Sequence, residues 1–308
     1  MLKKLSQYTL ALIGLTFLFS SCKKDYESIT SVDATAIKAY IAKNNLTVIE
    51  DSLKTGYYYQ ILNVGNDTAK YFTNADSVLY SAEIKGLENG TSYLSTSSTA
   101  NLGTLVGYTN VVGTSTTITS SISVPAIRDV MQKLKPGGSA RILLPSNLGY
   151  GKNGLGPIGS NENLDIYITA FPEVQQWKLD DRLIKEFITT KGLTMIKDPS
   201  RVYYSISEVG DGTYAIDANS TITVAYTLRL TDGTVVDSST SAAIALGGTD
   251  GASPASLAWT KVIPGKLEKG GKIRMLIPSD QGYGTVGNTG IPGNAILDFD
   301  IEILSVVN

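Results

Sequence analysis

The sequence predicts an α+β protein made of two copies of one domain in tandem. Three observations carry this: a phrase written twice, strands with one apolar face, and a helix-spaced apolar pattern ahead of each copy. Residues 134–151 read LKPGGSARILLPSNLGYG and residues 267–284 read LEKGGKIRMLIPSDQGYG, with ten of the eighteen positions identical. A repeat of this spacing, in a chain of 308 residues, divides the molecule into two units of ordinary domain size.

The elements follow in order. Apolar residues at Ile37, Tyr40 and Ile41, and again at Ile184, Phe187 and Ile188, have helical spacing. Asn45 and Gly192 stand where a helix end favours a left-handed residue. Tyr58-Tyr59 and Tyr203-Tyr204 then open the first strand of each copy. Residues 221–230 alternate, with Ile222, Val224, Tyr226, Leu228 and Leu230 on one face and Thr221, Thr223, Thr227 and Arg229 on the other. Asp232-Gly233 is a hairpin turn signal. In the last strand Leu297, Phe299, Ile301 and Ile303 face inward, and Asp298, Asp300 and Glu302 are expected to face water. A short helix is expected around 259–267, curtailed by Pro264-Gly265. The units are placed at 30–172 and 177–308.

Composition excludes several function classes. Hydrophobic residues make up 42% and the net charge is −2, so there is material for two cores and no basic surface for nucleic acid. The chain has no histidine, which removes imidazole acid–base catalysis, Ser-His triads and His-ligated metals. Its single cysteine removes internal disulfides and cysteine-rich zinc sites. No metal and no cofactor are expected.

That cysteine is Cys22. Lys3 and Lys4 precede an apolar run over residues 8–19, followed by Ser20, Ser21 and Cys22. The run is too short for a bilayer, which needs about 20 residues. The pattern resembles a bacterial lipoprotein signal: residues 1–21 are removed, Cys22 becomes the lipid attachment point, and residues 22–29 form a tether. The resemblance implies a cell-envelope protein anchored to a membrane, expected to be the outer membrane, on its periplasmic or its surface face.

The repeated phrase itself, a Gly-Gly turn, a short apolar strand, Pro-Ser and Gly-Tyr-Gly, resembles the FK506-binding-protein (FKBP) type of peptidyl-prolyl cis-trans isomerase. The resemblance implies a twisted antiparallel sheet wrapped around a short helix in each copy, here preceded by an extra helix. It also implies rotation about X–Pro bonds, whose barrier is about 18–20 kcal/mol and whose catalysis breaks no bond. Such a catalyst needs a dry cup for the proline ring and a donor for the flanking carbonyl.

In the second copy the resemblance assigns Tyr283, Asp237 and Tyr226 as catalytic residues, with Tyr283 donating to the substrate carbonyl. It assigns Trp259, Ile291, Phe299 and Val236 to the substrate-binding wall. Val236 stands where the family usually carries an aromatic, Ala242 is near another such wall, and the spacing from Trp259 to Leu267 is one residue longer than the common pattern. A shallower pocket and a slower reaction are expected. Taken singly, each of these residues also suits a core or turn position.

In the first copy Tyr80 and Tyr150 are aligned with Tyr226 and Tyr283, while Leu94, Ile127 and Ile166 replace Asp237, Trp259 and Phe299. Ile158-Gly159-Ser160 lacks a match for Pro292. The resemblance therefore implies a degenerate pocket there. The Ser/Thr-rich stretch 91–123 reads either as a flap or as Thr-rich strands. The expected partners are proline-containing or unfolded exported polypeptides. The alternative is a non-catalytic binding or holdase lipoprotein, and a purely structural surface role is a third reading.

Overall fold

The structure is a computed structural model that describes residues 27–109, 111–112, 122–212, 215–247 and 254–308. The signal segment and Cys22 lie outside the described residues.

Helix α1 (Ile29–Lys43) starts at Ser28, whose side chain accepts from the Ser31 backbone N–H at 3.2 Å. Helix α3 (Gln176–Lys191) is its counterpart in the second half. Asn45 at φ 50° and Gly192 at φ 62° turn the chain out of these two helices, as expected for left-handed caps.

The N-terminal sheet contains β1 (Ile49–Glu50), β2 (Tyr58–Asn63), β3 (Ser77–Gly86), β4 (Ser92–Ser95), β5 (Leu102–Leu105), β8 (Ser139–Leu144) and β9 (Leu164–Ala170). Its order is β1-β2-β8-β9-β3-β4, with β5 also beside β3. A separate two-stranded piece pairs β6 (Val111–Val112) with β7 (Ile122–Ser123), so the described part of the Ser/Thr-rich stretch is largely strand. The C-terminal sheet contains β10 (Ile196–Lys197), β11 (Tyr203–Glu208), β12 (Thr221–Leu230), β13 (Val235–Ala245), β14 (Lys272–Ile277) and β15 (Leu297–Val307). Its order, β10-β11-β14-β15-β12-β13, repeats the path of the first sheet, with the single β13 standing where β4 and β5 both pair with β3. All pairings are antiparallel. The short β1 and β10 precede the tyrosine pairs, so Tyr58 and Tyr203 open the second strand of each sheet rather than the first.

Each sheet packs one face on a short helix, α2 (Pro125–Met131) or α4 (Pro254–Val262). α4 begins and ends earlier than the 259–267 expectation. It stops at Val262, because the residue ahead of Pro264 is held out of the helical region. Gly233, at φ 93°, makes the β12–β13 turn, with Leu230 and Thr234 bonded across it.

The other sheet face is covered as well, which corrects the expectation of one wet face. Alternation sends Tyr59 and Tyr204 into the main cores and Tyr58 and Tyr203 toward the leading helices. Ile37 packs there with Leu87 and Leu143, and Ile184 with Leu276 and Ile296. Asp298 accordingly does not face water: it is buried and takes a bidentate pair from Arg274 at 2.8 and 2.7 Å. Asp165 and Arg141 form the same pair in the first sheet at 2.7 Å on both arms. The fork geometry satisfies both carboxylate oxygens, which burial would otherwise penalise. Asp300 and Glu302 remain solvent-accessible.

The repeated Pro-Ser has a structural cause. Asp33 on α1 accepts from Ser146 N–H and Oγ–H at 3.0 and 2.7 Å. Asp180 on α3 accepts from Ser279 in the same way at 2.9 and 2.7 Å. All four residues are buried, so each leading helix is bolted to the loop that follows the phrase's central strand.

Candidate active site

In the main core of the C-terminal unit, side chains from β12, β13, β15, α4 and the loop after β14 meet. Tyr226 is on the inward face of β12, cross-strand from Ile301, and Phe299 sits two residues along β15, opposite Leu228. Trp259 rises from α4 against both rings. Its centroid lies 5.8 Å from Tyr226 at 71° and 5.1 Å from Phe299 at 87°. Tyr226 and Phe299 are 6.0 Å apart at 56°. The two Trp259 contacts are edge-to-face, setting ring edges against ring faces, and the Tyr226–Phe299 pair is tilted. Trp259 and Phe299 are each 3% exposed, and the indole Nε1 has no hydrogen-bond partner among the described residues.

A β-bulge places the polar part. Along β13 the pairing passes from Asp237, opposite Leu228, to Val235, opposite Arg229, leaving Val236 as the extra residue. The bulge brings Val236 and Asp237 to the same side, where strict alternation would have sent one of them outward. Val236 packs on the core, and Asp237 accepts a 2.7 Å hydrogen bond from the Tyr226 hydroxyl. Its other oxygen accepts from the Ser238 N–H at 2.8 Å. Burial first, then the Asp237 carboxylate and the nearby Tyr283, push the Tyr226 hydroxyl up to about 12. Tyr226 is thus a neutral phenol at ordinary pH and is committed as a donor to Asp237.

Tyr283 and Ile291 come from the loop after β14. Gly284 N–H returns to Ser279 C=O at 2.9 Å, and Asn294 N–H to Gly284 C=O at 2.7 Å, closing the loop on itself. Gly287, at φ 73°, has the Ile291 carbonyl 2.3 Å from where a Cβ would sit, so no side chain fits at this crossing. Ile291 is buried in the core cluster that Tyr283 packs against, as Tyr226, Val236 and Ala242 do. The residues assigned from the sequence therefore converge on one cluster. Its toolkit is an apolar enclosure, a carboxylate-anchored phenol, and a second, half-buried tyrosine.

The N-terminal unit corrects one alignment. Tyr226 pairs with Ile301 of β15, and the matching position of β9, Ile168, pairs with Ala82; Tyr80 pairs instead with Ala170. Ala82, not Tyr80, occupies the place of Tyr226. The sequence signal misled because β3 carries a tyrosine two residues away on the same inward face, and only cross-strand register separates the two. Leu94, opposite Ile84, stands where Asp237 stands opposite Leu228. Ala82, Leu94, Ile127 and Ile166 pack together in one buried cluster. The loop over this cluster is tied down by Glu162, which accepts from Asn89 at 2.7 Å, from Gly159 N–H at 2.8 Å and from the Tyr93 hydroxyl.

A family match to known proteins falls within the C-terminal unit. Residues 212–304 match the family described as FKBP-type peptidyl-prolyl cis-trans isomerase. The chain is 36% identical over 131 residues to the FKBP-type peptidyl-prolyl cis-trans isomerase FkpA of Buchnera aphidicola subsp. Schizaphis graminum, covering 41% of this chain and 48% of that protein. It is 38% identical over 109 residues to FkpA of Escherichia coli strain K12, covering 33% of this chain and 37% of that one. The crystal structure of FkpA from Escherichia coli superposes at 31% identity over 42% of this chain and 59% of that chain, with a TM-score of 0.35. The aligned segments span about half or less of the curated relatives' own length.

Proposed function

We propose that the protein is a peptidyl-prolyl cis-trans isomerase whose activity resides in the C-terminal unit. The observation that carries this reading is the three-ring enclosure of Tyr226, Trp259 and Phe299, with the Tyr226–Asp237 hydrogen bond at its rim. A pyrrolidine ring enters against Trp259, Ile291 and Phe299 and leaves its water behind. The planar amide is more polar than the twisted one, so loss of water destabilises the ground state relative to the transition state. Tyr283 donates to the carbonyl beside the twisting bond. Asp237, held by Tyr226, presents fixed negative charge to the rotating amide, a preorganised arrangement that needs no reorganisation during the turn. Neither cofactor nor metal takes part in these steps.

The clients in this reading are exported polypeptides bearing proline. The protein is a lipoprotein held through Cys22 at the outer membrane, with both units in the surrounding aqueous compartment. No described helix is long and apolar enough to cross a membrane. The N-terminal unit, with aliphatic side chains in place of the aromatic walls, is not an isomerase.

The decisive experiment follows cis/trans exchange of a short proline peptide with the chain from residue 23 onward, alongside Tyr283→Phe and Asp237→Ala. Activity that falls with both changes supports the proposal. Absent activity with retained binding of unfolded protein overturns it in favour of a holdase, and absence of both leaves a structural lipoprotein.

A further inference from the structure

The two units touch through a partly buried chain of amides and one carboxylate that ends on the loop carrying Tyr283. Asn101, just ahead of β5 in the N-terminal unit, pairs reciprocally with Gln176 at the start of α3. Asn101 Nδ2 donates to Gln176 Oε1 at 2.9 Å, and Gln176 Nε2 donates to Asn101 Oδ1 at 3.0 Å. Gln176 Nε2 also donates to Asp180 Oδ1 at 2.8 Å, and Asp180 Oδ2 holds Ser279. Ser279 is one root of the Tyr283 loop.

The other root is Asn294, and it reaches the same residue. Asn294 Nδ2 donates to the Asn101 backbone carbonyl at 2.9 Å. Asn101 is 5% exposed and Asn294 7%. One residue of the first unit therefore grips both ends of the segment that bears Tyr283 and Ile291.

The first unit supplies an internal control. Asn161 has the backbone role of Asn294: φ is 54° against 61°, and its N–H bonds Gly151 C=O at 2.8 Å as Asn294 bonds Gly284. Asn161 is exposed, whereas Asn294 is covered by the neighbouring unit. The local loop geometry thus forms without a neighbour, and the extra clamp belongs to the second copy. Buried hydrogen bonds of this kind cost the most when one partner is removed, so the clamp resists opening of the loop.

We propose that Asn101 and Gln176 are positioning residues for the C-terminal site, through which the N-terminal unit holds Tyr283 and Ile291 in register with the aromatic walls. The proposal rests on the isomerase reading above. It gives the first unit a task that needs no pocket of its own.

The test uses the chain from residue 23 onward, wild type against Asn101→Ala and Gln176→Ala. Amide hydrogen exchange is read in 279–294 and, for comparison, in 146–161, together with peptide isomerisation. Loss of the Asn101–Gln176 and Gln176–Asp180 bonds that brace the carboxylate under Ser279 is expected to speed exchange about tenfold at Gly284 and Asn294 while leaving 146–161 unchanged. Isomerisation is expected to slow about fivefold by the same local opening. Unchanged exchange in 279–294 overturns the clamp. Equal acceleration in both loops overturns it too, since that reports general loosening. Faster exchange with unchanged isomerisation overturns the positioning role. An inactive wild type would defeat the isomerase reading, while the exchange comparison would still judge the clamp.

Discussion

The Tyr226 hydroxyl donates to Asp237 Oδ2 at 2.7 Å from the neighbouring strand, so the rim of the aromatic enclosure is set by a bulge rather than by a mobile side chain. Removing either partner frees the other. Tyr226→Phe should lower kcat/KM for a proline peptide by about tenfold, the worth of one charge-assisted hydrogen bond. Asp237→Ala should cost at least as much. A double-mutant cycle measured by peptide isomerisation should show strong coupling, and additive effects would mean that the two act separately.

Trp259 packs against both Tyr226 and Phe299 and is part of the core. Trp259→Ala should destabilise the C-terminal unit by about 3–5 kcal/mol, the usual cost of emptying a large aromatic site. Trp259→Phe retains most of the volume and should preserve folding while lowering isomerisation. Denaturant unfolding followed alongside activity separates the two effects.

The alkaline limb of stability should be set in part by Tyr226, Tyr57 and Tyr80. Burial is the first cause of the upward shift in each, to about 12 from an ordinary value of 10. A raised folded value means that the stabilisation is fully present below pH 10 and is lost as pH climbs toward 12. Isomerisation should therefore show no tyrosine-dependent change between pH 6 and 9. Tyrosinate absorbance should rise in step with unfolding above about pH 10.

Leu94 occupies the place of Asp237 in the first unit, inside a buried apolar cluster. Leu94→Asp should destabilise that unit by about 3 kcal/mol or more, because the carboxylate would be buried without a donor. Asp33→Ala, which leaves the buried Ser146 Oγ–H unpaired while its N–H keeps Asn163 Oδ1 at 3.1 Å, should cost about 1–3 kcal/mol. Both are read from the denaturation of the N-terminal unit.

Much of this was legible in the sequence. The duplicated phrase exposed the repeat, and alternation in β12 and β15 assigned the inward faces of Tyr226 and Phe299 correctly. Alternation states which residues share a face but not what covers it. Asp298 therefore read as solvated, although Arg274 and the leading helix close over it. Equally, Tyr80 and Ala82 lie on one face of β3, so only pairing with β9 distinguishes them. The tie from Asp33 and Asp180 to the Pro-Ser serines spans 113 and 99 residues and leaves no local pattern to read.

Helix α3 has a bearing on how the molecule is dissected. A fragment cut at 177 would discard Gln176 and strip Asp180 of one of its donors. An inactive excised piece would then leave a severed brace and a missing catalyst undistinguished, and a fair trimming has to begin upstream of Asn101.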